Sequence, residues 1–523
     1  MSLRRSSGVL LHPTSFPGRF GIGGLGESAY DFVDFLADSG QQLWQVLPLG
    51  PTGYGDSPYQ ALSVFAGNPL LISLDELIRE GALSPSDVED APQFPVDRVD
   101  YGEVIRFKMP ALRRSFQRFT TCASSVQRGE FSEFCDANCN WLNDFALFMA
   151  LKDNFGGIAW TAWDRDIAAR EPEAIRHWTK ELDSQIRFHQ YLQFQFFRQW
   201  LALKHYANSR GIRIIGDMPI FAAHDSADTW SHPELFHLDE QGNPAVMAGV
   251  PPDHFSPAGQ LWGNPLYRWD VLAQNSYAWW IARFHAAFQL LDIVRVDHFR
   301  GFEAYWVVPA GEETAVAGQW VKGPGMDLFG AVEHALGKLA IIAEDLGFVT
   351  PEVKTLLEAT GFPGMQVLQF AFDTDASNGF LPHNYERNCI VYTGTHDNDT
   401  TRGWFESQPE DRRGTVLQYL GTDGSQIHWD FIRLAFGSVA YMAVVPLQDV
   451  LGLGSEARMN YPGRASGNWT WRYTADMLTD EIAERLGMLA AVYGRTAEET
   501  DGEPCPPSMI FSPTLTIQKP LVN

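Results

Sequence analysis

The chain has few basic residues and no long apolar run. It contains 39 Lys and Arg against 64 Asp and Glu, which gives a formal net charge of −25. Because such a field repels phosphate, neither a nucleic acid nor an anionic membrane is expected as a partner, and a neutral substrate fits better. No stretch of about 18 apolar residues is present, and the N-terminus lacks the apolar region of a secretory signal. We therefore expect a cytoplasmic protein without a membrane span.

Cysteine is also scarce. The five cysteines form an odd and scattered set: Cys122, Cys135, Cys139, Cys389 and Cys505. The second and third could share a helix face, but no second pair of ligands lies nearby, which argues against a zinc site. Reduced thiols are the simpler interpretation, and no metal is expected.

Two common catalytic motifs are missing, and one nucleotide motif is present without its context. The sequence has no G-x-S-x-G and no H-E-x-x-H, which argues against serine hydrolases and zinc proteases of those types. The segment 21–26 matches G-x-G-x-x-G, the dinucleotide pattern. However, Pro13 and Pro17 intervene after the first predicted strand, and the next run, 44–48, ends without an acid. We therefore expect no nucleotide and no other cofactor.

Eight short apolar runs alternate with amphipathic helical patterns. Near-continuous apolar runs of this length are typical of parallel strands covered on both faces, so the sequence predicts a (β/α)8 TIM barrel within residues 1–495. Long gaps predict a helical subdomain at 75–190 and an insertion at 222–290 that includes an active-site loop, and 496–523 is expected to be a disordered tail. The predicted strands begin near Val9, Leu43, Ile212, Ile293, Ile341, Gln366, Ile390 and Val439.

Four of these runs end in acids, which are Asp217, Asp297, Glu344 and Asp397. The carboxyl ends of parallel strands share one rim, so these side chains should converge there. Arg295 lies two residues before Asp297 on the same strand face, where its charge favours an ionised carboxylate, as a nucleophile requires. Glu344 follows an apolar run, and burial among such residues should raise its pKa and suit it to general acid catalysis.

Several segments closely resemble the signatures of the amylomaltase family of 4-α-glucanotransferases, also called disproportionating enzymes, which are related to the α-amylase barrels. The resemblance extends to about residue 495. The matching segments are 53–59 (GYGDSPY), 216–221 (GDMPIF), 249–267, 294–301 (VRVDHFRG), 343–347 (AEDLG), 394–400 (GTHDNDT) and 467–472 (GNWTWR).

The resemblance implies retaining transfer of α-1,4-glucan segments between maltooligosaccharides, with glucose or a maltooligosaccharide as acceptor. It makes Asp297 the nucleophile, Glu344 the acid/base and Asp397 the stabiliser of the transition state. Tyr54 and Tyr101 would form a possible remote glucan site. The implied substrate-binding residues are Ser57, Tyr59, Asp217, Asp253, Gln260, Trp262, Arg295, His396 and Asn468.

Aromatic residues independently favour a sugar substrate, because the apolar faces of sugars pack on aromatic rings. The chain has 17 Trp, 16 Tyr and 35 Phe. Most of these should lie in the core, but we expect Tyr54, Tyr59, Trp230 and Trp262 in loops at the active rim.

Three alternatives stay open at this point. An amylase-type hydrolase would use the same acids and pass the glycosyl unit to water, although the long 249–267 loop favours transfer because a covered site excludes water. A noncatalytic glucan-binding protein would have no need of three intact acids. A metal-dependent hydrolase could use His396 and Asp397 as ligands, but the histidine-rich early strand of such a site is missing.

Overall fold

The computed structural model describes residues 5–252, 256–464 and 466–496. The strands are β1 (Ser6–Leu10), β2 (Leu43–Val46), β3 (Arg213–Met218), β4 (Val246–Val250), β5 (Gln260–Pro265), β6 (Ile293–Val296), β7 (Ala304–Pro309), β8 (Gln319–Lys322), β9 (Ile341–Ala343), β10 (Gly364–Val367), β11 (Cys389–Tyr392) and β12 (Met442–Pro446).

The α-helices of the same residues are α1 (Glu27–Asp38), α2 (Leu74–Arg79), α3 (Tyr101–Cys122), α4 (Ser125–Ala137), α5 (Cys139–Asn154), α6 (Arg165–Ala168), α7 (Pro172–Glu181), α8 (Asp183–Ser209), α9 (Ala227–Ser231), α10 (Trp269–Gln274), α11 (Ala278–Leu290), α12 (Met326–Leu336), α13 (Pro351–Thr360), α14 (Thr401–Ser407), α15 (Glu410–Leu420), α16 (Ile427–Gly437), α17 (Leu447–Val450) and α18 (Asp480–Val492). None of these helices has the length and apolar character needed to cross a membrane.

Eight parallel strands form the central barrel. Their order is β10-β11-β12-β1-β2-β3-β6-β9. The two end strands meet where the Ala343 amide donates to the Pro363 carbonyl at 3.0 Å and the Met365 amide donates to Asp345 Oδ1 at 2.7 Å. This confirms the predicted (β/α)8 barrel, and every predicted strand is present. The last one begins at Met442, three residues later than expected.

The strand residues alternate between the barrel interior and the surrounding helices, as a period of two requires. Trp44 and Val294 belong to the large core that includes the helices, while their neighbours Leu43 and Ile293 belong to a separate cluster. The members of that second cluster fill the barrel: Leu10, Leu43, Ile215, Ile293, Ile342, Met365, Val367, Ile390, Tyr392, Met442 and Val444.

The long connection between β2 and β3 is largely helical. Helix α8 is its longest element and contacts α1, α3, α4 and α5. The predicted subdomain limits of 75 and 190 fall inside α2 and α8, so a subdomain with those ends stays a prediction. Helix α1 begins at Glu27 with Gly26 as its N-cap.

A second sheet covers one side of the barrel mouth and was not predicted. It is antiparallel, with the order β5-β4-β7-β8. The segment 249–267, predicted as a loop, is therefore mainly a hairpin of β4 and β5 around the undescribed residues 253–255. Ala258, which precedes β5, meets the β7–β8 connection, where the Ala315 amide donates to the Ala258 carbonyl at 3.1 Å. The predicted tail lies outside the described residues from 497 onward.

Gly8 gives a test of how closely the barrel strands pack. A Cβ at this position would lie 2.1 Å from the Leu43 carbonyl oxygen on the neighbouring strand. Gly8→Ala should therefore lower the free energy of unfolding by about 3 kcal/mol, at the upper end of overpacking effects. Gly414→Ala is the control, because a Cβ there meets nothing within 4 Å and the site is inside α15.

The control should raise stability by about 0.5–1 kcal/mol, since alanine is the better helix former. Urea unfolding of both variants beside the parent measures the difference. Equal stability of Gly8→Ala and the parent would contradict the packing described here.

Candidate active site

Four carboxylates lie at the carboxyl end of the barrel. Asp217 is in β3, Asp297 follows β6 directly, Glu344 follows β9 directly, and Asp397 lies beyond β11. Backbone hydrogen bonds extend the sheet past the strands, because the Asp297 amide donates to Met218 O at 3.1 Å and the Glu344 amide donates to Val296 O at 3.0 Å. The backbones of Asp297 and Glu344 are thus held on adjacent strands of one rim.

Arg295 joins two of these acids. Its Nη1 lies 2.6 Å from Asp217 Oδ2 and 3.1 Å from Asp297 Oδ1. Burial disfavours the charge of Arg295, but the two carboxylates outweigh this effect and hold its pKa above the ordinary value. The Asp217 side chain is 0% exposed, whereas that of Asp297 is 28% exposed. Arg295 therefore orients the Asp297 carboxylate, part of which stays accessible to a reactant.

Glu344 has a different environment. Its Oε2 accepts from the His298 amide at 2.8 Å, and its Oε1 accepts from the Leu346 amide at 2.7 Å. Burial raises its pKa to about 7, and the Asp297 charge adds to this, while Arg295 and the Leu346 amide oppose it. Glu344 can therefore hold a proton near neutral pH and give it to a bound oxygen.

Asp397 forms an ion pair with His396. Their closest atoms, Asp397 Oδ2 and His396 Nε2, are 3.4 Å apart, and Asn460 Nδ2 donates to Asp397 Oδ1 at 2.6 Å. Burial alone would raise the pKa of Asp397, but His396 and Asn460 outweigh it and hold that pKa well below the ordinary range. Asp397 is therefore a fixed negative charge at this rim.

Tyr59 connects the two ion pairs. Its hydroxyl donates to Asp217 Oδ2 at 2.6 Å. Its ring stacks on the His396 ring with centroids 5.1 Å apart and an interplanar angle of 17°. Tyr59 thus contacts two other predicted substrate-binding residues, Asp217 and His396.

The remaining predicted contacts lie on loops and hairpins around the rim. Trp262 Nε1 donates to Gln260 Oε1 at 3.2 Å, and the Trp262 ring packs edge-on against the His298 ring at 4.9 Å. Ser57 Oγ accepts from the Tyr59 amide at 3.3 Å. Asn468 accepts from the Tyr461 amide and donates to the Arg464 carbonyl, so this side chain shapes its own turn. Asp253 lies outside the described residues.

Comparison with known proteins decides the family. Residues 11–479 match the sequence model of the glycoside hydrolase 77 family, described as 4-alpha-glucanotransferase. The chain belongs to the 4-alpha-glucanotransferase family. It is 55% identical over 502 residues to a 4-alpha-glucanotransferase of Synechocystis sp., covering 95% of this chain and 99% of the relative. It is 52% identical over 498 residues to that of Thermus thermophilus, covering 94% and 99% of the two chains.

Solved structures agree with this family assignment. The amylomaltase of Streptococcus agalactiae, solved in complex with acarbose, superimposes with a TM-score of 0.92 at 40% identity, covering 94% of this chain and 100% of that one. The amylomaltase of Corynebacterium glutamicum has a TM-score of 0.77 at 19% identity, covering 93% and 75%, and shows the shared fold.

Two aromatic residues of this 4-alpha-glucanotransferase family member differ from their predicted settings. Trp230 was expected in a rim loop, but it lies in α9, is 1% exposed and donates to the Ile167 carbonyl at 3.1 Å. Tyr101 begins α3 and is buried, and its hydroxyl donates to the Trp469 carbonyl at 2.9 Å. Its ring therefore offers no free platform for a remote glucan, whereas Tyr54 is 79% exposed.

Two polar residues near the acids were missed. Asn460 binds Asp397 but follows no strand and belongs to no motif, so no local signal marked it. His12 is buried, and burial lowers its pKa to about 3, with a further contribution from nearby His396. His12 follows a predicted strand by two residues, and that position was the available signal. Among the described residues, no group of three or more His, Cys, Asp or Glu is arranged to hold a metal ion.

The electrostatic coupling of Glu344 to Asp297 can be measured directly. In protein labelled with 13C at the glutamate carboxyl carbon, the Glu344 signal should titrate with a midpoint near 7. Asp297→Asn should lower this midpoint towards the ordinary glutamate value of about 4.3, because a neighbouring negative charge is lost. Glu344→Gln assigns the signal by removing it. A parent midpoint near the ordinary value, or a rise in Asp297→Asn, would contradict the assigned environment.

Proposed function

We propose that this chain transfers α-1,4-glucan segments between maltooligosaccharides by a retaining double displacement through a glycosyl-Asp297 intermediate. The observation that carries the proposal is the contrast between two acids on adjacent strands. Asp297 is paired with a buried arginine and partly exposed, while Glu344 has its pKa raised to about 7. One suits a nucleophile and the other a general acid, which is the pair that a retaining mechanism needs.

In the first step, Glu344 gives its proton to the glycosidic oxygen while Asp297 attacks the anomeric carbon. The carbon–oxygen bond breaks, the leaving chain departs with the proton, and the glycosyl unit stays linked to Asp297. In the second step, Glu344 removes the proton of an acceptor hydroxyl, that oxygen attacks the same carbon, and Asp297 is released. The two inversions retain the configuration.

The surrounding residues stabilise charge and hold the sugar. Asp397 is positioned to stabilise the oxocarbenium-like transition state, since its charge is kept by His396 and Asn460. Asp217, Arg295, Tyr59 and His396 would hold the donor sugar. Ser57, Gln260, Trp262, Asp253 and Asn468 would contact neighbouring sugar units. All charge comes from side chains, so the mechanism requires neither a metal nor a cofactor.

Transfer is favoured over hydrolysis by the relatives, which are named as transferases, and by the β4–β5 hairpin beside the acids. The neighbour solved with acarbose supports an oligosaccharide ligand here as well. The cytoplasmic location and a remote glucan site at Tyr54 stay predictions.

The covalent step can be tested with α-glucosyl fluoride, whose leaving group needs no protonation. Glu344→Gln should lower turnover of maltooligosaccharides by about 10²–10⁴-fold, because proton transfer is lost. With the fluoride it should still form the intermediate and release it slowly, so intact-protein mass spectrometry should show one added glucosyl unit. Peptide mapping should place that unit on Asp297.

Asp297→Asn should show no adduct and no turnover, while Asp136→Asn, an exposed acid on α4, should behave as the parent. An adduct on a different residue, or parent-like turnover of Asp297→Asn, would exclude Asp297 as the nucleophile.

Transfer and hydrolysis differ in their products from maltotriose. Each transfer consumes one reducing end and creates another, so the parent should give glucose and a ladder of longer maltooligosaccharides at nearly constant total reducing ends. Added glucose should accelerate the shortening of long glucans by serving as acceptor. Chromatography and a reducing-end assay measure both quantities. Reducing ends that rise with every bond cleaved, without longer products, would identify a hydrolase.

A further inference from the structure

Phe348 is an apolar ring in an unusual setting. Phe348 is 70% exposed to solvent, and it is the one exposed phenylalanine among those that the structure describes. It lies four residues after Glu344, on the loop between β9 and α13. A single exposed apolar side chain is common on protein surfaces, so the case for a ligand rests on the position of this ring near the acid/base and on the contacts that hold it there.

The backbone of Phe348 is held in place. Arg300 Nη1 donates to the Phe348 carbonyl at 2.6 Å. The same guanidinium lies 3.6 Å from the centroid of the Trp320 ring and 5.6 Å from that of Phe348. Arg300 itself is buried and follows Asp297 by three residues. The segment after the nucleophile thus fixes the loop after the acid/base.

Glu344 is tied to both segments. Its carboxylate accepts from the amides of His298 and Leu346, which belong to the segments that carry Arg300 and Phe348. The position of the phenyl ring is therefore coupled to the position of the acid/base through two short stretches of chain.

The second sheet continues this surface. The rings of Trp320 and Trp306 are 5.1 Å apart, and Trp306 Nε1 donates to the Ala315 carbonyl at 2.8 Å. The Ala315 amide in turn donates a hydrogen bond to the carbonyl of Ala258. This residue precedes β5, the strand that carries Gln260 and Trp262. A partly exposed aromatic surface, defined by Phe348, Trp320 and Trp306, therefore runs from the acid/base to the β4–β5 hairpin.

We propose that Phe348 is a stacking platform for the second sugar unit of the acceptor chain. The inference rests on the proposed function, in which Glu344 acts on the oxygen shared with the leaving or accepting chain. That chain must therefore extend on the Glu344 side of the cleaved bond. A glucose unit has an apolar C–H face that packs on an aromatic ring, and Phe348 presents such an exposed ring on the loop that follows the acid/base.

The test compares acceptors of different length at a fixed concentration of α-glucosyl fluoride, which fills only the donor side. Phe348→Ala should raise the KM for maltose and maltotriose about tenfold, equivalent to about 1.4 kcal/mol, with kcat unchanged. Its KM for glucose should stay within about twofold, because glucose reaches only the first acceptor position. Phe348→Trp keeps an aromatic face and should restore the parent values.

Val126→Ala is the matched control, since it truncates a residue that is 66% exposed on α4, away from the acids. Unchanged KM values for all acceptors, or an equal increase for glucose, would overturn the inference. If the parent transfers to no acceptor, the proposed function fails separately.

The inference is then decided by calorimetry of maltoheptaose binding in the Glu344→Gln background. Weaker binding in Glu344→Gln with Phe348→Ala supports the platform, and equal binding overturns it.

Discussion

The ion pair of Arg295 with Asp217 and Asp297 is the interaction on which the site depends. One buried guanidinium serves two carboxylates on neighbouring strands, at 2.6 and 3.1 Å. Removal of a partner from such a group leaves a buried charge uncompensated, which is strongly destabilising. The group thus constrains β3 and β6 together. It also orients the carboxylate of the more exposed acid, Asp297, part of which stays accessible to a reactant.

The acids differ in their surroundings because of this arrangement. Arg295 contacts Asp217 and Asp297 but forms no ion pair with Glu344, whose carboxylate accepts two backbone amides and is otherwise buried. Two acids on adjacent strands therefore have different environments: Asp297 is paired with a buried arginine, while burial raises the pKa of Glu344 to about 7. Asp397 is a third case, because His396 and Asn460 fix its charge. Tyr59 connects the two ion pairs, because its hydroxyl donates a hydrogen bond to Asp217 and its ring stacks on His396.

The sequence predicted the barrel and its acids because both depend on local patterns. Apolar runs such as 293–296 end where the strand leaves the sheet, and the next residue then lies at the rim. Trp230 was misplaced because tryptophan beside polar residues suggests a loop, yet a single turn of helix buries it under Arg170. Asn460 and the burial of Tyr101 depend on contacts with residues more than 60 positions away, which no local pattern encodes.

The second sheet escaped prediction for a related reason, and that reason bears on function. Two of its four strands, β5 (QLWGNP) and β8 (QWVK), mix polar and apolar residues and are only partly buried, so they lack the continuous apolar runs of the barrel. The sheet is held by hydrogen bonds between its own strands and between their connections, such as the bond from the Ala315 amide to the Ala258 carbonyl. The proposed catalytic acids thus lie at the ends of strands whose geometry is fixed by the barrel. The surface that meets the rest of the glucan is built on an added layer whose side chains can change without disturbing Arg295 and its partners.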